Sequence, residues 1–258
     1  MKNKILKSNV FWLICIIILW ELLSRGGIIS SYILPPFSKI FLTLIDEIRD
    51  KTLVVQIINS FKVVIMGLII SLIISLIVLI LIDKISVFEY LIKTVCNVLS
   101  PLPSVAILPI VIIWIGINDN SMLILVIHSV LWPMIINLIE KVKSIPLIYH
   151  HYLTNIEMKS LKKVLYVYLL LILPGVIATL KIGCSRAWRA IISSEAIFGI
   201  IGTSGGLGMY IYVNRAYGNI TKVMVGVLII IVISFIINKF FEMIEKLTVL
   251  KWGMSYEK

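Results

Sequence analysis

Val63–Ile82 reads VVIMGLIISLIISLIVLILI, twenty residues without a charge. A bilayer's hydrocarbon layer is about 30 Å thick and takes about 20 apolar residues of helix to cross. A helix that is apolar on every side has to be buried in a large protein or in lipid. This chain has 258 residues, 60% of them apolar and 14% charged, whereas soluble domains run near 45–50% apolar and about a quarter charged. Lipid is therefore the solvent. The mean hydropathy of +1.09 excludes disorder, a collagen-like repeat and a disulfide scaffold on the same ground.

Working outward, further uncharged runs are Ser8–Trp20, Thr94–Asn118, Ser121–Ile139, Val164–Leu180 with a partly charged continuation to about Gly199, and Val223–Asn238. Together they predict an all-α polytopic membrane protein of six transmembrane helices, a single domain over residues 1–258. Lys2, Lys4 and Lys7 before the first run imitate a signal peptide. Trp20-Glu21-Leu22-Leu23 stands where a small-residue cleavage site would be, so the run reads as a retained helix. Between Gly26 and Gln56, the helical spacing of Ile40, Leu44, Ile45 and Ile48 predicts a short amphipathic helix at the outer interface.

The net charge of +11 lies in short segments between apolar runs, which is topology control rather than nucleic-acid binding. Lys84, Lys93, Lys141, Lys143, Lys159, Lys162, Lys163, Lys239, Lys246, Lys251 and Lys258 fall on the side of the N-terminus. Both termini are thus expected in the cytoplasm, with a cytoplasmic loop at about 140–163.

Catalysis has little to stand on. His128 is alone on its helix, His150-His151 have no carboxylate pair nearby, and Cys15, Cys96 and Cys184 sit at unrelated spacings, so neither a metal site nor a nucleophile emerges. Charge inside the fifth apolar region says more. Arg186, Arg189 and Glu195 lie there, where insertion scales put the cost of one charge at ~2.5–3.5 kcal/mol. The arginines can snorkel to an interface. Glu195 is too short for that, so it either lines a polar passage or makes a structural bond in the bundle. Pro101, Pro103 and Pro109 in one run, and Pro174 in another, free backbone carbonyls that only protein or a watery cavity can satisfy.

The stretch Pro101-Leu102-Pro103-Ser104-Val105-Ala106-Ile107-Leu108-Pro109, ending Trp114-Ile115-Gly116-Ile117, resembles a segment of the permease subunits of bacterial ABC importers, in the nitrate/sulfonate/taurine branch. Ile33-Leu34-Pro35-Pro36-Phe37-Ser38, Ser185-Arg186-Ala187-Trp188, Ser194-Glu195-Ala196, Ser204-Gly205-Gly206-Leu207-Gly208 and the closing Leu250-Lys251-Trp252 resemble the branch's other motifs in the same order. The resemblance implies a homodimer in the bacterial inner membrane, two cytosolic ATPase subunits and an extracytoplasmic solute-binding protein. The chain would carry no cofactor, since ATP is used by the partner. It would pass a small anion or a thiamine-precursor-like molecule. Arg186, Trp188 and Glu195 would belong to the translocation path, with Pro101, Pro103 and Pro109 breaking a helix beside it.

One departure concerns the loop that couples such permeases to the ATPase. Its glycine position falls on Glu157, and its preceding signature on His151-Tyr152-Leu153. Glutamate lacks a glycine's freedom to turn. Coupling then has to be rebuilt around Ile156, Glu157, Leu161 and Lys162, with Lys159 and Lys163 beside them, or else it is weakened. The other readings are a diverged permease with specialised coupling, a polytopic membrane enzyme, and a secondary transporter, for which no internal repeat speaks.

Overall fold

The structure is a computed structural model and describes residues 9–85, 87–199 and 205–250. Lys2, Lys4, Lys7, Ser204 and Trp252 lie outside these. Every described element is helical: α1 (Asn9–Arg25), α2 (Phe37–Arg49), α3 (Thr52–Lys84), α4 (Val87–Leu99), α5 (Ser104–Ile115), α6 (Asp119–Lys143), α7 (Leu147–Asn155), α8 (Ser160–Leu171, with a π-helical turn inside), α9 (Leu173–Phe198), α10 (Leu207–Ala216) and α11 (Ile220–Glu245).

Among the described residues, α3, α6 and α11 with its continuation to Thr248 are long and apolar enough to cross a membrane. Two further crossings result if the bent pairs α4–α5 and α8–α9 each count as one. A sixth would have to be α1, which has 17 residues. Thr94–Asn118, expected to cross with its helix broken by prolines, is indeed interrupted. The helix stops at Leu99, restarts at Ser104, and turns by 100° between the two. Pro101 and Pro103 remove two backbone donors there, and Pro103 sits extended just before the new helix. The fifth run is also two helices, meeting at 85°. Pro174 does not kink a helix but occupies the first turn of α9, where its missing N–H costs nothing.

α6 runs through the middle, packed along α3 on one side and α9 on the other. Close approach is possible because α3 turns small residues inward: Ser60, Gly67, Ser71 and Ser75 are all buried. At Gly67 even a methyl group would come within 2.4 Å of Val126 Cγ1. Gly183 of α9 meets Leu68, Val130 and Met134 in the same way. In lipid there is no water to drive helices together, so such van der Waals fit carries the association.

α9 packs in turn against α10 and α11, and α2 lies on α11. The amphipathic helix expected between Gly26 and Gln56 is therefore present. Its Ile40 is buried, and its Glu47 bonds Lys222 at 2.6 Å. α1 is clasped to the start of α2. Trp20 donates to the Pro35 carbonyl at 3.0 Å, Ser24 donates to that of Leu34 at 2.6 Å, and Glu21 accepts from Ser38 N–H at 3.1 Å. The bundle has two distinct ends. One gathers α2, α10 and the start of α11, and the other α7, α8 and the facing ends of α3, α4 and α6.

Candidate functional site

α9 has 26 residues and Arg186 is the fourteenth, so at 1.5 Å per residue it lies about 20 Å from either end. Arg189, three residues on, shares its face. Both open into a cleft of about 500 Å³ whose other walls are the Ser100–Val105 turn, Ser129 of α6, and Ala190 and Ser193 of α9. The structure therefore unites Arg186 with Pro101 and Pro103. Pro109 is in α5 and outside the cleft lining. Trp188 also points elsewhere, buried and stacked on Phe61 with ring centres 5.2 Å apart.

Glu195 is turned away from the arginines. It is 6% exposed, and its Oε2 accepts from the Gly208 N–H at 2.9 Å. The backbone of Gly206 and Met209 and the Ser60 hydroxyl also face this carboxylate. Ser60 Oγ accepts from Leu207 N–H at 3.0 Å, and Asn59 donates to the Gly205 carbonyl at 3.2 Å. α10 has no side-chain cap of its own. Its orphan N–H groups, at the positive end of the helix dipole, are capped by an anion borrowed from α9 and a hydroxyl from α3. The absence of a side chain at Gly206 lets both groups approach, because a Cβ there would stand 2.4 Å from a Glu195 oxygen and 2.3 Å from Ser60 Oγ, so that the carboxylate and hydroxyl would have to shift. Of the two roles open to Glu195, the bond within the bundle is the one its geometry displays. Nothing in the sequence pointed to Ser60 as its partner, since 135 residues separate the two.

At the other end, α7 closes in a turn built on Glu157. Its φ is +51°, in the left-handed region. Glu157 N–H reaches the Thr154 carbonyl at 2.9 Å and Met158 N–H that of Leu153 at 3.1 Å. These two bonds make a Schellman motif, which normally calls for glycine at this position. The expectation that glutamate could not make the turn is corrected: the chain makes it and bears the strain. Ile156 (47%) and Leu161 (53%) are exposed, as are Leu147 (73%), Ile148 (74%) and Tyr152 (62%) of α7. Sequence reading missed the α7 trio, although their apolar side chains in a polar loop were a visible signal. Lys162 is exposed. Lys163 is not free to act with it, being held 3.5 Å from Asp83 of α3. Tyr168 stands beside the same Asp83 and bonds His150 Nδ1 at 3.0 Å, tying α7 to the bundle. These groups line a second cavity of about 300 Å³ under the loop.

Two features thus sit on one helical scaffold: an arginine-lined cleft midway along α9, and an apolar surface on the loop at one end. Residues 84–249 match the family of binding-protein-dependent transport system inner membrane components. The chain belongs to that family. It is accordingly a multi-pass plasma-membrane permease of an ABC importer rather than an enzyme, and ATP hydrolysis lies in partner subunits. This permease is 24% identical to the putative aliphatic sulfonates transport permease SsuC of Bacillus subtilis over 94% of its length and 86% of the relative's. The taurine transport permease TauC of Escherichia coli is 21% identical, over 85% and 80% of the two chains. The bicarbonate transport permease CmpB of Synechocystis is 24% identical, over 92% and 87%. Its fold is also that of a chain in the methionine ABC transporter MetNI, solved in inward-facing conformations. The TM-score is 0.55 at 17% identity, covering 76% of this chain and 92% of that one.

Proposed function

We propose that this permease carries a small anion through a path shared by two copies of itself, with six crossings per copy in a single domain and both termini in the cytoplasm. The observation that carries the reading is the cleft: two arginines at mid-helix with no acidic side chain among the residues lining it. Charge at that depth is retained where it serves a passage. Relatives named for sulfonates and bicarbonate transport support the same class of solute, and one named for taurine shares the sulfonate group. The chain needs no cofactor of its own. ATP acts on a cytosolic ATPase docked on α7 and the α7–α8 turn, where Ile156, Leu161 and the exposed α7 side chains supply apolar anchors of the kind that dominate interfaces. An extracytoplasmic binding protein delivers solute to the end that holds α2 and α10. The ordered turn at Glu157 favours retained coupling over the diverged, uncoupled alternative.

The test is reconstitution of the chain with its ATPase and binding protein in vesicles, with a panel of ethanesulfonate, nitrate and bicarbonate beside neutral and cationic solutes. ATP-driven uptake of at least one anion, lost on Ile148→Asp, is the expected result. Uptake confined to neutral or cationic solutes, or no association with an ATPase, would refute the proposal.

A further inference from the structure

We infer that the cleft is itself an oxyanion-binding site, so that selection for a negatively charged solute is exercised by the membrane subunit and not left to a soluble binding protein. This rests on the importer reading above and adds to it a site, a ligand chemistry and a division of labour.

The first ground is uncompensated charge. Among the described residues neither Arg186 nor Arg189 forms an ion pair. Arg189 donates only to the Ser185 carbonyl, at 3.1 Å through Nε, which leaves the outer edge of its guanidinium unbonded. Six side-chain groups that can donate line the space, namely those two guanidiniums and the hydroxyls of Ser100, Ser104, Ser129 and Ser193, and no carboxylate answers them. Ser129 and Ser193 spend their hydrogens on backbone carbonyls of their own helices. For Ser100 and Ser104 no such bond exists among the described residues, so both hydroxyls remain available.

The second ground is placement. The two arginines lie midway along α9, away from the helix ends where a side chain reaches an interface, and a charge carried into a bilayer is costly to leave unneutralised, so a bound anion is the natural neutraliser. The break between α4 and α5 brings a further donor set to the same space. α5 starts at Ser104 with no side-chain cap, and Ser104 and Val105 both line the cleft. First-turn N–H groups favour negative charge. Ala190, buried and small, leaves the floor between the arginines and Ser193 open. A planar guanidinium fork matches two oxygens of one group better than a single spherical ion. The favoured ligand is therefore a sulfonate, nitrate or carboxylate-type anion rather than a halide. About 500 Å³ is within the ordinary range for a small-molecule site.

The full chain in phosphatidylcholine nanodiscs, without ATPase or binding protein, should bind ethanesulfonate saturably by isothermal titration. It should ignore the neutral methyl ethyl sulfone, and binding should weaken at least tenfold in Arg186→Gln and in Arg189→Gln. Arg215→Gln, outside the cleft, should bind as the parent does. A second measurement spares the arginines: with Cys15, Cys96 and Cys184 replaced by alanine, ethanesulfonate should slow labelling of Ser104→Cys by N-ethylmaleimide. Equal binding by the arginine variants, equal binding of the sulfone, or unprotected labelling would overturn the inference. So would loss of ethanesulfonate binding when the discs contain phosphatidylglycerol, because the arginines would then be holding lipid headgroups. ATPase association and uptake are scored separately, so an importer that moves anions without this site remains distinguishable from a chain that is no importer.

Discussion

Glu157→Gly should stabilise the loop it sits in. The left-handed conformation costs an L-residue about 1–2 kcal/mol, and Glu157 adopts it at φ +51°. Glycine removes that cost but returns roughly 0.5–1 kcal/mol through its greater freedom in the unfolded chain. The net gain is about 0.5–1 kcal/mol, because the exposed glutamate side chain has no bond among the described residues to lose. Expressed as local opening, protection of the Glu157-position and Met158 amides, the two that close the turn, should rise roughly two- to fivefold. Hydrogen–deuterium exchange on the chain in nanodiscs reads this directly. Glu157→Ala keeps the Cβ and should leave protection unchanged, whereas Glu157→Val, branched at Cβ, should lower it. Should glycine leave the two amides as they are, or speed their exchange, the strain assigned to this turn is not there.

Gly67→Ala should destabilise the bundle by about 1–3 kcal/mol through overpacking, since its methyl meets Val126 at 2.4 Å; thermal unfolding in detergent should fall and be partly restored in the double variant with Val126→Ala. Glu195→Leu should leave the Gly208 N–H unpaired at a cost of about 1–3 kcal/mol, seen as faster exchange across α10 and lower uptake, while Glu195→Gln keeps an acceptor and should fall between. Tyr168→Phe removes the hydroxyl that bonds His150 at 3.0 Å; it should loosen α7 and reduce solute-stimulated ATP hydrolysis without dissociating the ATPase. In a cysteine-free background, an impermeant thiol reagent applied to intact cells should label Asn219→Cys and spare Ser160→Cys, and the opposite pattern would reverse the proposed orientation.

Composition and run length were enough to read an all-helical membrane protein and to place α3, α6 and α11, because apolarity over 20 residues admits few structures. Direction was not readable. Hydropathy counts Thr94–Asn118 as one run whether the chain continues or turns by 100°, and the prolines at 101 and 103 signal a break without its angle. Pro174 misled for a related reason, since the same residue opens a helix as readily as it kinks one. The three charges of α9 stand out in the sequence, but their partition between cleft and bundle depends on residues of other elements: Ser60 and Gly208 for Glu195, Ser100 and Ser104 for the arginines. Glu157 shows the opposite failure. A local rule was sound as to cost and wrong as to outcome, because surrounding contacts, with Leu153 and Met158 both packed against the core, held the turn in place.

The two short helices that take their N-terminal anions from elsewhere also constrain how the molecule comes to be. α10 has 10 residues and α2 has 13, lengths at which an isolated helix is marginal in water. Glu21 reaches α2 across the residues that follow α1, so α2 can set as soon as the first two helices have been made. α10 needs Ser60 from α3 and Glu195 from α9 at once. Its N-terminus can become orderly only after those two helices have met. During synthesis α2 can therefore order before α10, and a chain in which α3 and α9 have not met offers α10 nothing to fasten to.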